Sequence, residues 1–276
     1  PALTEGVSYY TVLKEFFFRK SKRGKPPIEL PSKTIDLLTL DRNEDALVWF
    51  GHSSYFMQID GKKFLVDPVL NGSASPVKFT TRSFKGSDVY TTDAIPDIDY
   101  VFITHDHWDH LDYDTITQLK PKIKKIVTGL GVGEHLERWG FEKHAIIERD
   151  WNEEVLLEGG FLVNTAPARH FSGRGFKRNG SLWMSFILQT PTMKIYIGGD
   201  SGYDHHFAEI GNKFGPFDLA ILENGQYDKN WRYIHMMPEE VVQAAQDLRA
   251  KVLLPVHWSK FSLSVHAWDE PIIRVS

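Results

Sequence analysis

The stretch Tyr100-Val101-Phe102-Ile103-Thr104-His105-Asp106-His107-Trp108-Asp109-His110 constrains this chain more than any other. Its first half is a short apolar run, as expected of a strand buried on both faces. Its second half packs five potential metal ligands, three imidazoles and two carboxylates, into the six residues 105–110. On a tight loop after a buried strand, such a cluster can present ligands to two adjacent cations. Histidine with aspartate suits zinc, and iron or manganese less specifically. Cysteine is absent from all 276 residues, which excludes disulfides, thiolate metal sites and a cysteine nucleophile.

The rest of the chain reads as a mixture of strands and helices. Strands are expected at 47–50, 55–59, 63–66, 126–128, 161–165, 182–189, 194–197, 219–222 and 251–256, with Asp60-Gly61 as a hairpin turn. Helices are expected at 113–119, 132–139, 207–214 and 238–249, the last opening with Pro238 and an acidic first turn. Strands grouped in both halves fit layered sheets covered by helices better than strict strand–helix alternation, an α+β arrangement. Hydrophobic residues make up 42% and charged residues 25%, enough to build a sizeable core. Lys+Arg 32 against Asp+Glu 36 leaves a net charge of −4, so no global field draws the chain to nucleic acid or to an anionic membrane. No apolar run approaches the ~20 residues of a spanning helix. The compartment stays open between cytoplasmic and membrane-peripheral.

Residues 1–45 read as an N-terminal arm and connector, and 46–276 as one catalytic domain. Between Lys14 and Lys25 stand six basic residues against Glu15 alone, around Phe16, Phe17 and Phe18, before Pro26, Pro27 and Pro31. Either the arm packs over the domain with its lysines solvated, or it is a patch for peripheral contact with anionic lipid.

The His-X-His-X-Asp-His pattern of His105 to His110 resembles the signature of the metallo-β-lactamase superfamily. That family's later ligand positions follow in order: His170 in Ala168-Arg169-His170-Phe171, Asp200 in Gly198-Gly199-Asp200-Ser201, and His257 in Pro255-Val256-His257-Trp258. The resemblance implies an αββα four-layer sandwich holding two divalent cations, zinc above others. It implies that His105, His107 and His170 hold the first, that Asp109, His110 and His257 hold the second, and that Asp200 bridges both. The pair would share a hydroxide at neutral pH. Asp67, ending Phe64-Leu65-Val66-Asp67, matches a family aspartate that supports the ligand loop, or is simply an acid closing a strand. His107 stands where the diiron branch has glutamate, which favours hydrolysis over redox chemistry.

Further segments resemble the N-acylphosphatidylethanolamine-hydrolysing phospholipase D branch: Trp49-Phe50-Gly51-His52-Ser53, Ser181-Leu182-Trp183, Lys213-Phe214-Gly215-Pro216-Phe217-Asp218, Tyr233-Ile234-His235 and His257-Trp258-Ser259-Lys260-Phe261. The chain departs from that branch in ending soon after Glu270-Pro271, where relatives continue by a further helix. The branch implies a zinc-dependent phosphodiesterase acting on a phospholipid, with Asp200 and Asp109 carrying the chemistry. His235 would contact phosphate or protonate the leaving alkoxide, or else pack on Trp231. His52, Trp183 and Arg174 are candidate substrate contacts, His52 equally a candidate for a structural hydrogen bond. Arg174 lies in a glycine-rich basic loop, 169–178, that either holds an anion or is merely solvated. A lactonase, another phosphodiesterase of the same fold and a non-catalytic metal-stabilised binding module remain alternatives.

Overall fold

A computed structural model describes residues 3–18, 21–175 and 178–276, without the side chains of Tyr9, Leu13, Glu15, Phe16 and Phe17. Of the residues invoked above, Arg19, Lys20 and Lys177, with the rings of Phe16 and Phe17, therefore lie outside the described set.

Two six-stranded sheets form the centre. The first runs β1 (Ala46–Trp49), β2 (Tyr55–Ile59), β3 (Lys62–Val66), β4 (Ile98–Ile103), β5 (Ile123–Gly129), β6 (Ile146–Arg149) in spatial order. The second runs from β7 (Glu154–Leu156) through β8 (Leu162–Ala166), β9 (Ser185–Gln189), β10 (Lys194–Ile197) and β11 (Leu219–Glu223) to β12 (Leu253–Val256). Each begins with antiparallel neighbours and ends with parallel ones, β3 to β6 in the first and β10 to β12 in the second.

Period-two alternation explains the layers. Phe64, Phe102, Phe186 and Ile221 point between the sheets into one shared core. Their neighbours Leu65, Val101 and Ile103 face outward onto Ile116 and Leu119 of α2 (Tyr113–Leu119) and Leu136 of α3 (Gly133–Arg138). In the second sheet Ile187, Tyr196, Ala220 and Leu222 face Phe207 and Ile210 of α4 (His206–Phe214) and Val241 and Ala244 of α5 (Pro238–Asp247). With both faces covered, these strands carry continuous apolar runs. The result is the four-layer helix–sheet–sheet–helix order. Ahead of β1, the segment that leads into α1 (Tyr9–Phe18) is tied to the domain by Thr4 N–H, which donates to Asn230 O at 3.0 Å; a short α6 (Glu270–Val275) follows β12.

Several elements differ from expectation. β6 and β7 went unrecognised: β6 offers only Ile-Ile-Glu-Arg, and edge strand β7 alternates with Leu156 facing solvent. The expected strand at 182–189 begins only at Ser185, because Leu182 N–H and Met184 N–H bond to Leu130 O and Thr104 O of the first half. The helix expected over 238–249 ends at Asp247, and Arg249 turns the chain with a φ of 56°. No helix among the described residues is long and apolar enough to cross a membrane.

Candidate metal centre

The strand ends converge on one edge of the sandwich. Asp67 follows β3, His105 to His110 follow β4, His170 follows β8, Asp200 follows β10, and His257 follows β12. Two of these turns and the β1–β2 turn beside them hold non-glycine residues in the left-handed region: Asp67 at φ 41°, His257 at 67° and His52 at 54°. Each such residue costs about 1–3 kcal/mol and persists only where its surroundings fix it. Here His257 N–H donates to His52 O at 2.8 Å, His52 N–H to Trp258 O at 2.9 Å, and Asp67 N–H to Phe102 O at 3.0 Å. Gly199, ahead of Asp200, has a φ of 61°, and a Cβ there would meet Thr104 Cβ at 2.9 Å.

Two ligand sets form. In the first, His107 Nδ1 lies 2.9 Å from His105 Nε2 and 3.2 Å from His170 Nε2. Asp200 Oδ2 is 3.9 Å from His105 Nε2 and 3.7 Å from His170 Nε2. In the second, Asp109 Oδ2 lies 3.6 Å from His110 Nε2 and 3.4 Å from His257 Nε2, while Asp200 Oδ2 lies 3.2 and 3.4 Å from the same nitrogens. A tetrahedral ion with bonds of ~2.0–2.1 Å spaces its ligand atoms by roughly 3.3–3.4 Å. These sets fit it. Among the described residues, His110 Nε2 and Asp200 Oδ1 are buried without a hydrogen-bond partner. The opposite ring atoms are occupied: His170 Nδ1 donates to Ile234 O at 2.9 Å, His105 Nδ1 to Thr104 Oγ1 at 3.0 Å, and His110 Nδ1 to Asp67 Oδ2 at 2.8 Å. With a cation bound, those bonds would leave the inward nitrogens with lone pairs directed at it. Asp67 is itself fixed by Thr104, whose N–H donates to Oδ1 at 2.8 Å and whose hydroxyl donates to Oδ2 at 2.6 Å. Asp106 faces away, accepting from Gly173 N–H at 2.6 Å and standing 3.2 Å from His135 Nε2.

The remaining sequence candidates are distributed differently. His235 lines the cleft above the ligands, its Nδ1 4.0 Å from Asp200 Oδ2. His52 is buried beneath them, with Nε2 2.9 Å from Asp109 Oδ2, so it orients a ligand and does not meet the cleft. Arg174 stacks on Trp108 at 3.8 Å and donates to Asp106 O at 2.9 Å, bracing the ligand loop from behind. Trp183 donates to Ala168 O at 2.8 Å and packs edge-on against Trp151. Neither Arg174 nor Trp183 reaches the cleft; Arg178 does. Glu223, at the end of β11, was not singled out. It is 1% exposed and shares the position of Asp67, an acid closing an apolar strand run, which is the signal that would have marked it.

Electrostatics divides the histidines. Burial holds His105 and His170 well below the ordinary imidazole value and lowers His107 to about 4. Burial also opposes charge on His110 and His257, yet Asp200 and Asp109 outweigh it, raising His110 well above the usual value and His257 to about 10. Without a cation these two rings are protonated at neutral pH. A divalent ion must displace their protons, so its apparent affinity falls as pH drops and rises with pH. Zinc titration by calorimetry in buffers of different ionisation enthalpy is expected to show proton release on uptake at pH 7. Proton-neutral binding would contradict this charge distribution.

A family model described as a beta-lactamase superfamily domain matches residues 62–258, a span that contains both ligand sets. An uncharacterized protein of Mycobacterium tuberculosis is 39% identical over 256 residues, covering 91% of this chain and 68% of its own length. The N-acyl-phosphatidylethanolamine-hydrolyzing phospholipase D 1 of Caenorhabditis elegans is 32% identical over 228 residues, which are 78% of this chain and 64% of that protein. A solved structure of a metallo hydrolase from the archaeon Ignicoccus hospitalis matches with a TM-score of 0.57 at 23% identity, over 77% of this chain and 82% of that one. The chain thus belongs to the beta-lactamase superfamily, as a metal-dependent hydrolase of the metallo-β-lactamase fold.

Proposed function

We propose that the chain is a phosphodiesterase that uses two divalent cations, zinc above others, to cleave N-acylphosphatidylethanolamine-type lipids on the headgroup side of phosphorus, leaving phosphatidic acid. The observation that carries this reading is the cleft itself. It measures about 440 Å³, has the ligands His107, Asp109, His170, Asp200 and His257 at its floor, and is walled by Leu3, Val12, Phe171, Trp231, Ile234 and Leu263. Its one described cation besides histidine is Arg178, whose guanidinium lies 5.2 Å from the Phe171 ring. Apolar walls over a ligand floor with a single fixed positive charge suit an amphiphile with one anionic phosphate. The activity named for the nematode relative supports the same substrate class.

Bound in the two sets, the cations would supply Lewis-acid activation of water and neutralise charge on the phosphoryl oxygens. The chain's own residues do the rest. Arg178 holds the phosphate at the mouth, the apolar walls seat acyl chain and exclude water, and His235 stands where a proton can pass to the departing alkoxide. Residues 1–45 act in this reading as part of the site, since Leu3 and Val12 line the cleft, and the catalytic domain is 46–276. Peripheral contact with a bilayer falls to α1, where Tyr10 and Phe18 are 75% and 86% exposed.

The test is hydrolysis in water enriched in oxygen-18, with products resolved by mass. Label is expected in phosphatidic acid. Label in the N-acylethanolamine, or release of free fatty acid, would mean attack at carbon and hence an esterase or lactonase.

A further inference from the structure

In the second sheet β11 lies between β10, which delivers Asp200, and β12, which delivers His257. Its last residue, Glu223, pairs in register with Val256, the residue before His257. The side chain is buried under the ligand floor. Oε1 accepts the Met236 N–H at 2.6 Å, which fixes the carboxylate. Oε2 lies 3.6 Å from His257 Nδ1 and 3.6 Å from His235 Nδ1. Both nitrogens are buried, and neither has a hydrogen-bond partner among the described residues. The two rings stack 5.2 Å apart, so one oxygen addresses both from the same side. The following backbone is equally committed: a Cβ on Gly225 would meet His257 O at 2.1 Å, so the turn after Glu223 is pressed against the ligand strand.

We propose that Glu223 is a positioning residue of the centre, a single carboxylate that orients His257 for the second ligand set and His235 for the cleft. The 3.6 Å separations are ion-pair distances, each within about half an ångström of a direct hydrogen bond. A proton on His257 Nδ1 directed at Glu223 leaves Nε2 as the lone pair facing Asp109 and Asp200. The first set takes no support from Glu223: His170 Nδ1 is bonded to Ile234 O and His105 Nδ1 to Thr104. The direct contacts of Glu223 with ligand histidines are therefore confined to one set. This rests on the two ligand sets described above and not on the identity of the substrate.

The test is zinc titration against a competing chelator, with native protein and Glu223→Gln compared. Glutamine keeps the volume and can still accept the Met236 N–H, so the metal-free variant is expected to melt as a folded protein. Its second equivalent of zinc is expected to bind about 10–100-fold more weakly, as outer carboxylates of histidine ligands do, with the first unchanged. Two equivalents bound as tightly as in native protein would overturn the proposal, as would equal weakening of both, the mark of a general disturbance. If the glutamine variant does not fold, Glu223→Asp carries the same comparison, because it keeps the charge but shortens its reach. Native protein that binds fewer than two equivalents would remove the ligand sets themselves, and the proposal with them.

Discussion

Replacing Asp200 by asparagine is expected to abolish hydrolysis while leaving the sandwich folded. Asp200 Oδ2 is within 4 Å of four ligand nitrogens, two from each set: His105 and His170, then His110 and His257. Among the described residues, no other carboxylate oxygen comes within 4 Å of nitrogens of both sets. Asparagine keeps the volume but removes the charge that opposes two cations. His110 and His257, with smaller contributions from the other rings, hold this carboxyl well below the ordinary range against the penalty of burial. The expected loss is at least a hundredfold in rate, ~2.7 kcal/mol of barrier, read with bis(p-nitrophenyl) phosphate at saturating metal alongside elemental analysis. His107→Ala should behave alike, since His107 Nδ1 is central to the first set. More than about a tenth of native rate in either variant would refute these roles.

The largest effect on stability is expected at Asp67, where asparagine cannot satisfy three donors. Its two oxygens receive Thr104 N–H, the Thr104 hydroxyl and His110 Nδ1, and the side chain is 1% exposed. An amide offers one oxygen and turns its own N–H groups toward the remaining donors. Breaking a buried, charge-assisted arrangement of this kind costs about 3–5 kcal/mol. For a domain of this size that lowers the melting temperature by on the order of 10 °C. Thermal unfolding of metal-free Asp67→Asn checks it, and a shift of under a few degrees would show that the ligand loop holds its shape without this support.

What could be read from sequence follows from where the information sits. Strands buried on both faces, such as Phe64-Leu65-Val66 and Val101-Phe102-Ile103, announce themselves by unbroken apolarity. His105 to His110 close such a run and were legible as a ligand-rich cluster, whereas His170, Asp200 and His257 were marked only by the family resemblance, and the structure brings all of them to one edge. Edge strands β6 and β7 have one short covered face and no such run. Charges on a glycine-rich loop carry no direction. Arg174 and Arg178 are four residues apart, yet one folds back on Trp108 and the other reaches the cleft. His52 was legible as a residue near the site but not as a partner of Asp109. That depends on a contact between residues 57 apart in sequence. Glu223 had the strand signal of Asp67 but not the family match that marked Asp67, and its two imidazole neighbours become visible only once β10, β11 and β12 are side by side.

The cleft walls have a consequence for how such a chain can be altered. The candidate ligands sit at strand ends, with the left-handed turn of His257 locked to that of His52, whereas Leu3, Val12, Trp231 and Leu263 belong to segments that contribute none of them. Under the proposed phosphodiesterase reading, the reaction centre and the walls that would select a substrate are therefore written in separate parts of the molecule. On that reading, a library that varies those four wall positions samples new substrate shapes over an unchanged reaction centre, so divergence in specificity need not pass through inactive intermediates.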